Sequence, residues 1–183
     1  MAGEAMRSGA VEEVAAVVVP LARTETFEGF YRRELRSLVT FAAALAGPAH
    51  ADDIAQEAML AAYRRWDVVS ALDLPVAWVR KVCANRAVST LRRRASEGRA
   101  LVRLGARRDT PVTGEAESDE FWREVRRLPA RQAQCLALAY VYDLGVADIA
   151  RTLGISDGSV KTHLHRGRAT LAVRLAPLLE ETP

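Results

Sequence analysis

Apolar residues recur at helical spacing through most of the chain, and strand-like alternation is nearly absent. Phe27, Tyr31, Leu35, Leu38, Ala42 and Leu45 fall on one stripe, and the Gly47-Pro48 pair ends the helix that carries them. A second helix is predicted from about Asp52 to Trp66, with Asp52 and Asp53 in its first turn, where carboxylates suit the positive end of the helix dipole. A third starts at Pro75, a favoured first-turn residue, and runs to about Arg94. Four more helical segments are predicted near Glu120–Arg127, Ala130–Tyr142, Val146–Leu153 and Asp157–Leu175. Residues 1–26 show no clear cap and no sustained amphipathic pattern, and read as a loose, disordered extension.

Between the third and fourth helices, residues 104–119 (LGARRDTPVTGEAESD) place Gly105, Pro111 and Gly114 among polar side chains without an apolar period. This reads as a flexible linker, which spans roughly 50 Å when extended. The predicted fold is therefore all-α: two small helical domains, residues 27–103 and 120–176, followed by a short tail at 177–183. A chain of 183 residues, 50% hydrophobic, has enough apolar material for two such cores.

Charge sharpens the division. Residues 27–103 hold 13 Lys+Arg against 8 Asp+Glu, a net +5, and residues 120–176 hold 9 against 5, a net +4, while the flanking and joining segments are acidic. Two basic bodies separated by acidic stretches suit two surfaces that meet a polyanion. Cys83 and Cys135 each sit within an apolar helical pattern, without a second Cys or a His at metal-ligand spacing, and read as reduced core residues of a cytoplasmic protein. The apolar run from Val14 to Leu21 is too short to span a bilayer, and no membrane insertion is expected. No glycine-rich phosphate loop, metal constellation or activated nucleophile is visible, so neither an enzyme nor a cofactor is expected.

The stretch VADIARTLGISDGSVKTHLHRGRATL, residues 146–171, has the pattern of a helix-turn-helix. Ile149 and Leu153 form an apolar pair, Ala150 permits close crossing, Gly154 supplies a left-handed turn and Ser156 caps the next helix. Val160, Leu164, Gly167 and Leu171 then face inward, which leaves Ser159, Lys161, Thr162, His165 and Arg166 on the open face. In such motifs the first half of the second helix enters the major groove, and these side chains suit base edges and phosphates. His163 and His165, two apart on a helix, diverge and are not expected to share a metal.

Two faces of the first domain carry further chemistry. In DDIAQEAMLAAYRRW, residues 52–66, the band Ile54, Ala55, Ala58, Met59, Ala62 and Trp66 is inward, leaving Asp53, Gln56, Glu57, Leu60 and Arg64 outward, with the leucine among polar side chains a partner-contact candidate. In WVRKVCANRAVSTLRRR, residues 78–94, Val79, Val82, Cys83, Ala87 and Leu91 point to the core. Lys81, Asn85, Ser89, Arg92 and Arg93, with Arg80 nearby, line a second nucleic-acid candidate, since an amide among cations reads bases while its neighbours neutralise phosphates.

Taken with LPARQAQCLALAYVYDLGVADIARTLGISDGSVKTHLHRGRATL, these stretches resemble the two domains of bacterial extracytoplasmic-function (ECF) sigma factors, the short members of the sigma-70 family. The resemblance covers residues 27–94 and 128–174, in the family's order. It implies that Asp53, Gln56, Glu57 and Leu60 dock on core RNA polymerase. It likewise implies that Arg80, Lys81, Asn85, Ser89, Arg92 and Arg93 lie along the −10 element of promoter DNA, and that Ser159, Lys161, Thr162, His165 and Arg166 meet the −35 element. An anti-sigma factor is a further partner that the family admits. The chain departs from the family at residues 66–78, where no aromatic lies between Trp66 and Trp78, and at His163, where Arg is usual. The segment VKTHLHR also resembles LuxR-type regulators, so a LuxR-like DNA-binding regulator is the alternative, and an interaction protein that has kept the fold but lost promoter opening is a third.

Overall fold

The structure, a computed structural model, describes the backbone of residues 25–103 and 116–180 and the side chains of residues 25–93 and 120–176. The extension at residues 1–24, most of the linker and the last three residues of the tail therefore lie outside the described residues.

Helix α1 (Phe27–Ala46) begins at Thr26, whose Oγ1 accepts a hydrogen bond from the Gly29 N–H at 3.2 Å. The expectation that nothing in the first 26 residues caps a helix is thus corrected: a threonine one residue ahead of the first aromatic does so. The helix stops at Gly47, which takes φ 86° and donates its N–H to the Ala43 carbonyl at 2.8 Å. A 3₁₀ turn (Pro48–His50) leads into α2 (Ala51–Tyr63), and a single turn, α3 (Trp66–Val69), precedes α4 (Pro75–Arg103).

The second helix ends three residues before the expected Trp66 because that side chain turns back onto α1. Its ring centroid lies 5.4 Å from that of Phe27 and 5.0 Å from that of Phe30, while Arg65, at φ −134°, leaves the helical range. Burial of a large aromatic against two others outweighs one further helical turn.

The carboxy-terminal half comprises α5 (Ala116–Arg126), α6 (Ala130–Tyr142), α7 (Val146–Leu153) and α8 (Asp157–Glu180). Helix α5 starts within the stretch assigned to the linker, four residues ahead of Glu120. Helix α6 ends at Asp143, a non-glycine residue at φ 51°, a short polar side chain that tolerates the left-handed region.

Helices α1, α2 and α4 pack as one bundle around Leu38, Phe41, Leu45, Ile54, Met59, Val79 and Cys83. Ala42, Ala55, Ala58, Ala62, Ala84 and Ala87 are fully buried at the crossings, where a small side chain lets backbones approach. The second bundle closes over Val125, Leu136, Leu138, Ile149, Leu153, Val160 and Leu171. Each large side chain so buried contributes about 1.5–3 kcal/mol relative to exposure. Glu124, 5% exposed, is compensated by Arg127 and by Arg174 at 3.3 Å, the latter tying α5 to α8. The two bundles touch: α1 packs on α5 and α6, and α4 on α7, so their apolar residues form one continuous cluster.

Two predictions follow from this packing. A Cβ on buried Gly167 would lie 2.8 Å from Leu136 Cδ1, so Gly167→Ala should destabilise the fold by about 1–3 kcal/mol, read as a lower urea midpoint. Burial pushes the Cys83 thiol up to about 12 and the Cys135 thiol up to about 11, the latter against the opposing charge of Arg131. Neither should react with a thiol reagent at pH 8 until the chain is unfolded in denaturant; fast labelling of the native protein would contradict their placement.

Candidate nucleic-acid interface

The burial pattern of α2 separates two faces. Ile54, Ala55, Ala58, Met59 and Ala62 are buried, while Asp53, Gln56, Glu57 and Leu60 all point outward. Leu60 remains 45% exposed and Tyr63, one turn on, 61%. With Phe27 and Tyr31 of α1 they line an open groove of about 540 Å³, rimmed by Asp53, Gln56 and Glu57. The Phe27 ring meets those of Tyr63 and Tyr31 in tilted contacts, with centroids 5.0 Å and 5.9 Å away. The hydrophobic pattern assigns Phe27 and Tyr31 to the core stripe and overlooks Tyr63. All three contribute to this surface, and the signal was the density of aromatics at 27, 31 and 63 in a chain with only 6% aromatic residues. Glu57 is also held by Arg86 of α4 at 2.5 Å, which orients the rim.

The α4 residues divide. Lys81, Asn85, Ser89, Arg92 and Arg93 are exposed, as their spacing predicts. Asn85, Ser89 and Arg92 line a polar groove of about 350 Å³ whose opposite wall is Ala130, Arg131 and Gln134 of α6. Arg80 behaves differently. Only 16% of its side chain is exposed; it lies 3.9 Å from Glu34 and its guanidinium sits 3.7 Å above the ring of Tyr142. Burial pushes the Tyr142 phenol up to about 12, opposed by the positive charge of Arg80, so the ring stays neutral at ordinary pH. The neighbour Lys81 lies at the turn of the second bundle, where a Cβ on Gly154 would be 2.9 Å from its Nζ.

The helix-turn-helix forms as its sequence predicts. Gly154 adopts φ 68°, ψ 46° and donates its N–H to the Ala150 carbonyl at 2.8 Å, and Ser156 Oγ accepts the Ser159 N–H at 3.2 Å. Val160, Leu164, Gly167 and Leu171 are buried, so α8 presents Lys161, Thr162, His165 and Arg166 to solvent. Ser159 is half-buried, its hydroxyl 2.9 Å from that of Ser156, a capping position at the helix N-terminus. The Thr162 hydroxyl donates to the Gly158 carbonyl at 2.9 Å and keeps its lone pairs free to accept. Lys161 and His165 border a third groove, of about 470 Å³, with Arg168 and an apolar floor of Val146, Leu164 and Ala169. No helix among the described residues is long and apolar enough to cross a membrane.

Two family models match the chain in succession: sigma-70 region 2 over residues 30–97 and sigma-70 region 4 over residues 118–171, together more than half of its length. The chain is an ECF sigma factor of the sigma-70 family. It is similar to ECF RNA polymerase sigma factor SigW of Bacillus subtilis, 27% identical over 143 residues that cover 70% of this chain and 76% of that protein. It is also similar to ECF RNA polymerase sigma factor SigM of Mycobacterium tuberculosis, 29% identical over 157 residues, 80% of this chain and 75% of that one. Among solved structures, the fold matches the sigma factor RpoE from Bartonella quintana, in complex with the anti-sigma factor NepR, with a TM-score of 0.65 and 22% identity over 86% of this chain and 98% of that chain.

A sigma factor is a transcription initiation factor without catalysis of its own, which agrees with an interface made of grooves and basic faces. The LuxR-type alternative accounts for the carboxy-terminal half alone; the region 2 match, with α1, α2 and α4 behind it, overturns it. In this sigma factor α2 and α4 belong to region 2, and α7 and α8 to region 4.

Proposed function

We propose that this ECF sigma factor divides promoter-specific initiation among three faces. Asp53, Gln56, Glu57 and Leu60 of α2 dock on the clamp helices of the largest subunit of core RNA polymerase. Arg80, Lys81, Asn85, Ser89, Arg92 and Arg93 of α4 engage the −10 element and assist strand opening. Ser159, Lys161, Thr162, His165 and Arg166 meet the −35 element through the first half of α8. The protein then works in the cytoplasm, and an anti-sigma factor is a second partner, in keeping with the NepR-bound state of the solved neighbour.

The observation that carries the reading is the outward side of α2. Single exposed apolar side chains are common on solvated helix faces, but here Leu60 and Tyr63 together edge an open aromatic groove with a carboxylate rim. Apolar centres surrounded by polar rims are the usual make-up of protein interfaces. The basic faces of α4 and α8 supply the phosphate and base contacts that a bipartite DNA element requires.

Run-off transcription with the purified chain, bacterial core RNA polymerase and a library of promoter fragments tests the whole assignment: defined starts should appear only when the chain is added, and no chain-dependent start at any fragment would sink it. Leu60→Asp should weaken association with core polymerase by about 2 kcal/mol or more, roughly 30-fold in Kd, without shifting the thermal midpoint, because Leu60 is exposed. Lys161→Ala should weaken binding of the holoenzyme to the promoter and lower its salt dependence by about one counterion if the lysine meets a phosphate. Titration across salt concentrations measures this, and an unchanged slope would assign Lys161 to a base instead.

A further inference from the structure

The groove of about 350 Å³ between α4 and α6 differs in kind from the other two. Hydrogen-bonding side chains face one another across it: Asn85, Ser89 and Arg92 on one wall, Arg131 and Gln134 on the other. None of its lining residues carries a carboxylate, whereas the groove beside α2 is rimmed by Asp53 and Glu57, and the one beside α8 has an apolar floor. Ion pairs occupy Arg86, Arg123, Arg127 and Arg174 nearby in the sequence, yet neither Arg92 nor Arg131 pairs with a carboxylate among the described residues. Two cations on opposite walls of one groove are thus left without a counter-charge.

One of those cations is held in place. Gln134, 2% exposed, donates from Nε2 to the Ala84 carbonyl of α4 at 3.1 Å and accepts at Oε1 from Arg131 Nη1 at 3.1 Å. This relay from the α4 backbone fixes the Arg131 guanidinium while using a single one of its donors, and the others remain in a planar fork that matches phosphate oxygens. Across the groove, the exposed Asn85 and Ser89 side chains make no hydrogen bond with a described residue, so an amide and a hydroxyl stand ready beside Arg92.

We infer that this groove binds an oligophosphate, a chain of two or three phosphates that is either free or carried by a nucleoside. Arg131 and Arg92 grip its oxygens from opposite walls, and Ser89 and Asn85 supply neutral donors. A cleft lined by one sign of charge focuses its field on an anion. The volume leaves room for more than one tetrahedral phosphate, so a chain that bonds to both walls at once fits better than a single ion. Asn85, Ser89 and Arg92 are also assigned above to the −10 element, so an oligophosphate seated here and a promoter strand exclude one another. That consequence rests on the assignment of α4; the binding itself does not.

Calorimetric titration of the full chain with inorganic tripolyphosphate tests the site. At about 0.15 M salt, where diffuse attraction to a basic surface is largely screened, binding should saturate at one molecule per chain. Arg131→Gln and Arg92→Gln should each weaken it about tenfold or more, the loss that goes with one charged hydrogen-bonding partner. Arg36→Gln makes the same change of charge at an exposed α1 residue outside the groove and should leave binding unchanged. All three arginines are exposed, so their replacement should leave the fold intact, which circular dichroism checks. Metal-free ATP in place of tripolyphosphate separates the two sources: tighter binding assigns a nucleoside polyphosphate, and equal or weaker binding assigns the bare phosphate chain. No saturable binding of either probe, or equal losses in all three variants, would overturn the site and leave only diffuse attraction of anions to a basic protein. Arg131 lies outside the three faces assigned to transcription, so Arg131→Gln should start transcripts as the wild type does. A wild type without any starts would defeat the functional assignment and leave the calorimetric result for the groove standing.

Discussion

Close approach of helices is the constraint on which the rest of this molecule depends. Neither bundle has a long hydrophobic run to bury, so α1, α2 and α4 meet over alanines at positions 42, 55, 58, 62, 84 and 87, with larger side chains such as Phe41, Met59 and Leu38 filling the space between. In the second bundle Gly167 does the same for α8 against Leu136 of α6. An interior packed at near-crystalline density admits little rotation of one helix on the next. Each outward face is thereby held in one orientation: Leu60 on its groove, Asn85 and Arg92 on α4, Lys161 and Arg166 on α8.

In the proposed division of labour that rigidity separates tasks that a single surface could not combine. Docking on a protein needs an apolar centre, and the groove beside α2 has one, with a carboxylate rim; contact with a polyanion needs cations and few carboxylates, as on the outward faces of α4 and α8. Holding the acidic groove and the basic helix on different faces of one small bundle, with the Glu57–Arg86 pair at their border, keeps the charges from cancelling. Region 4 repeats the arrangement, its buried Glu124 turned inward onto two arginines while Lys161 and Arg166 face out.

Arg80 sits where the two bundles meet: its guanidinium lies 3.7 Å above the Tyr142 ring and 3.9 Å from the Glu34 carboxylate, with 16% of the side chain exposed. A lysine in its place would stack less well, because the guanidinium is planar and weakly hydrated. The contact between the bundles combines apolar packing with polar groups that are only partly satisfied.

Much of this was legible in the residues. The periodicity of α1, the turn at Gly154, the Ser156 cap and the buried series Val160, Leu164, Gly167 and Leu171 are local: each depends on spacing along one helix or on the backbone freedom of one residue, and the folded chain keeps them. So do the outward sets on α2 and α8, which are what remains once the apolar stripe is assigned. What only the tertiary structure decided involves residues far apart in sequence. Trp66 leaves its helix to reach Phe27 and Phe30, Phe27 and Tyr31 are shared between core and groove, and Arg80 is drawn over the ring of Tyr142, 62 positions away. A helical period states which way a side chain points from its own axis. It carries no record of which other helix will stand opposite, because that choice is set by the packing of whole faces and not by any one of them.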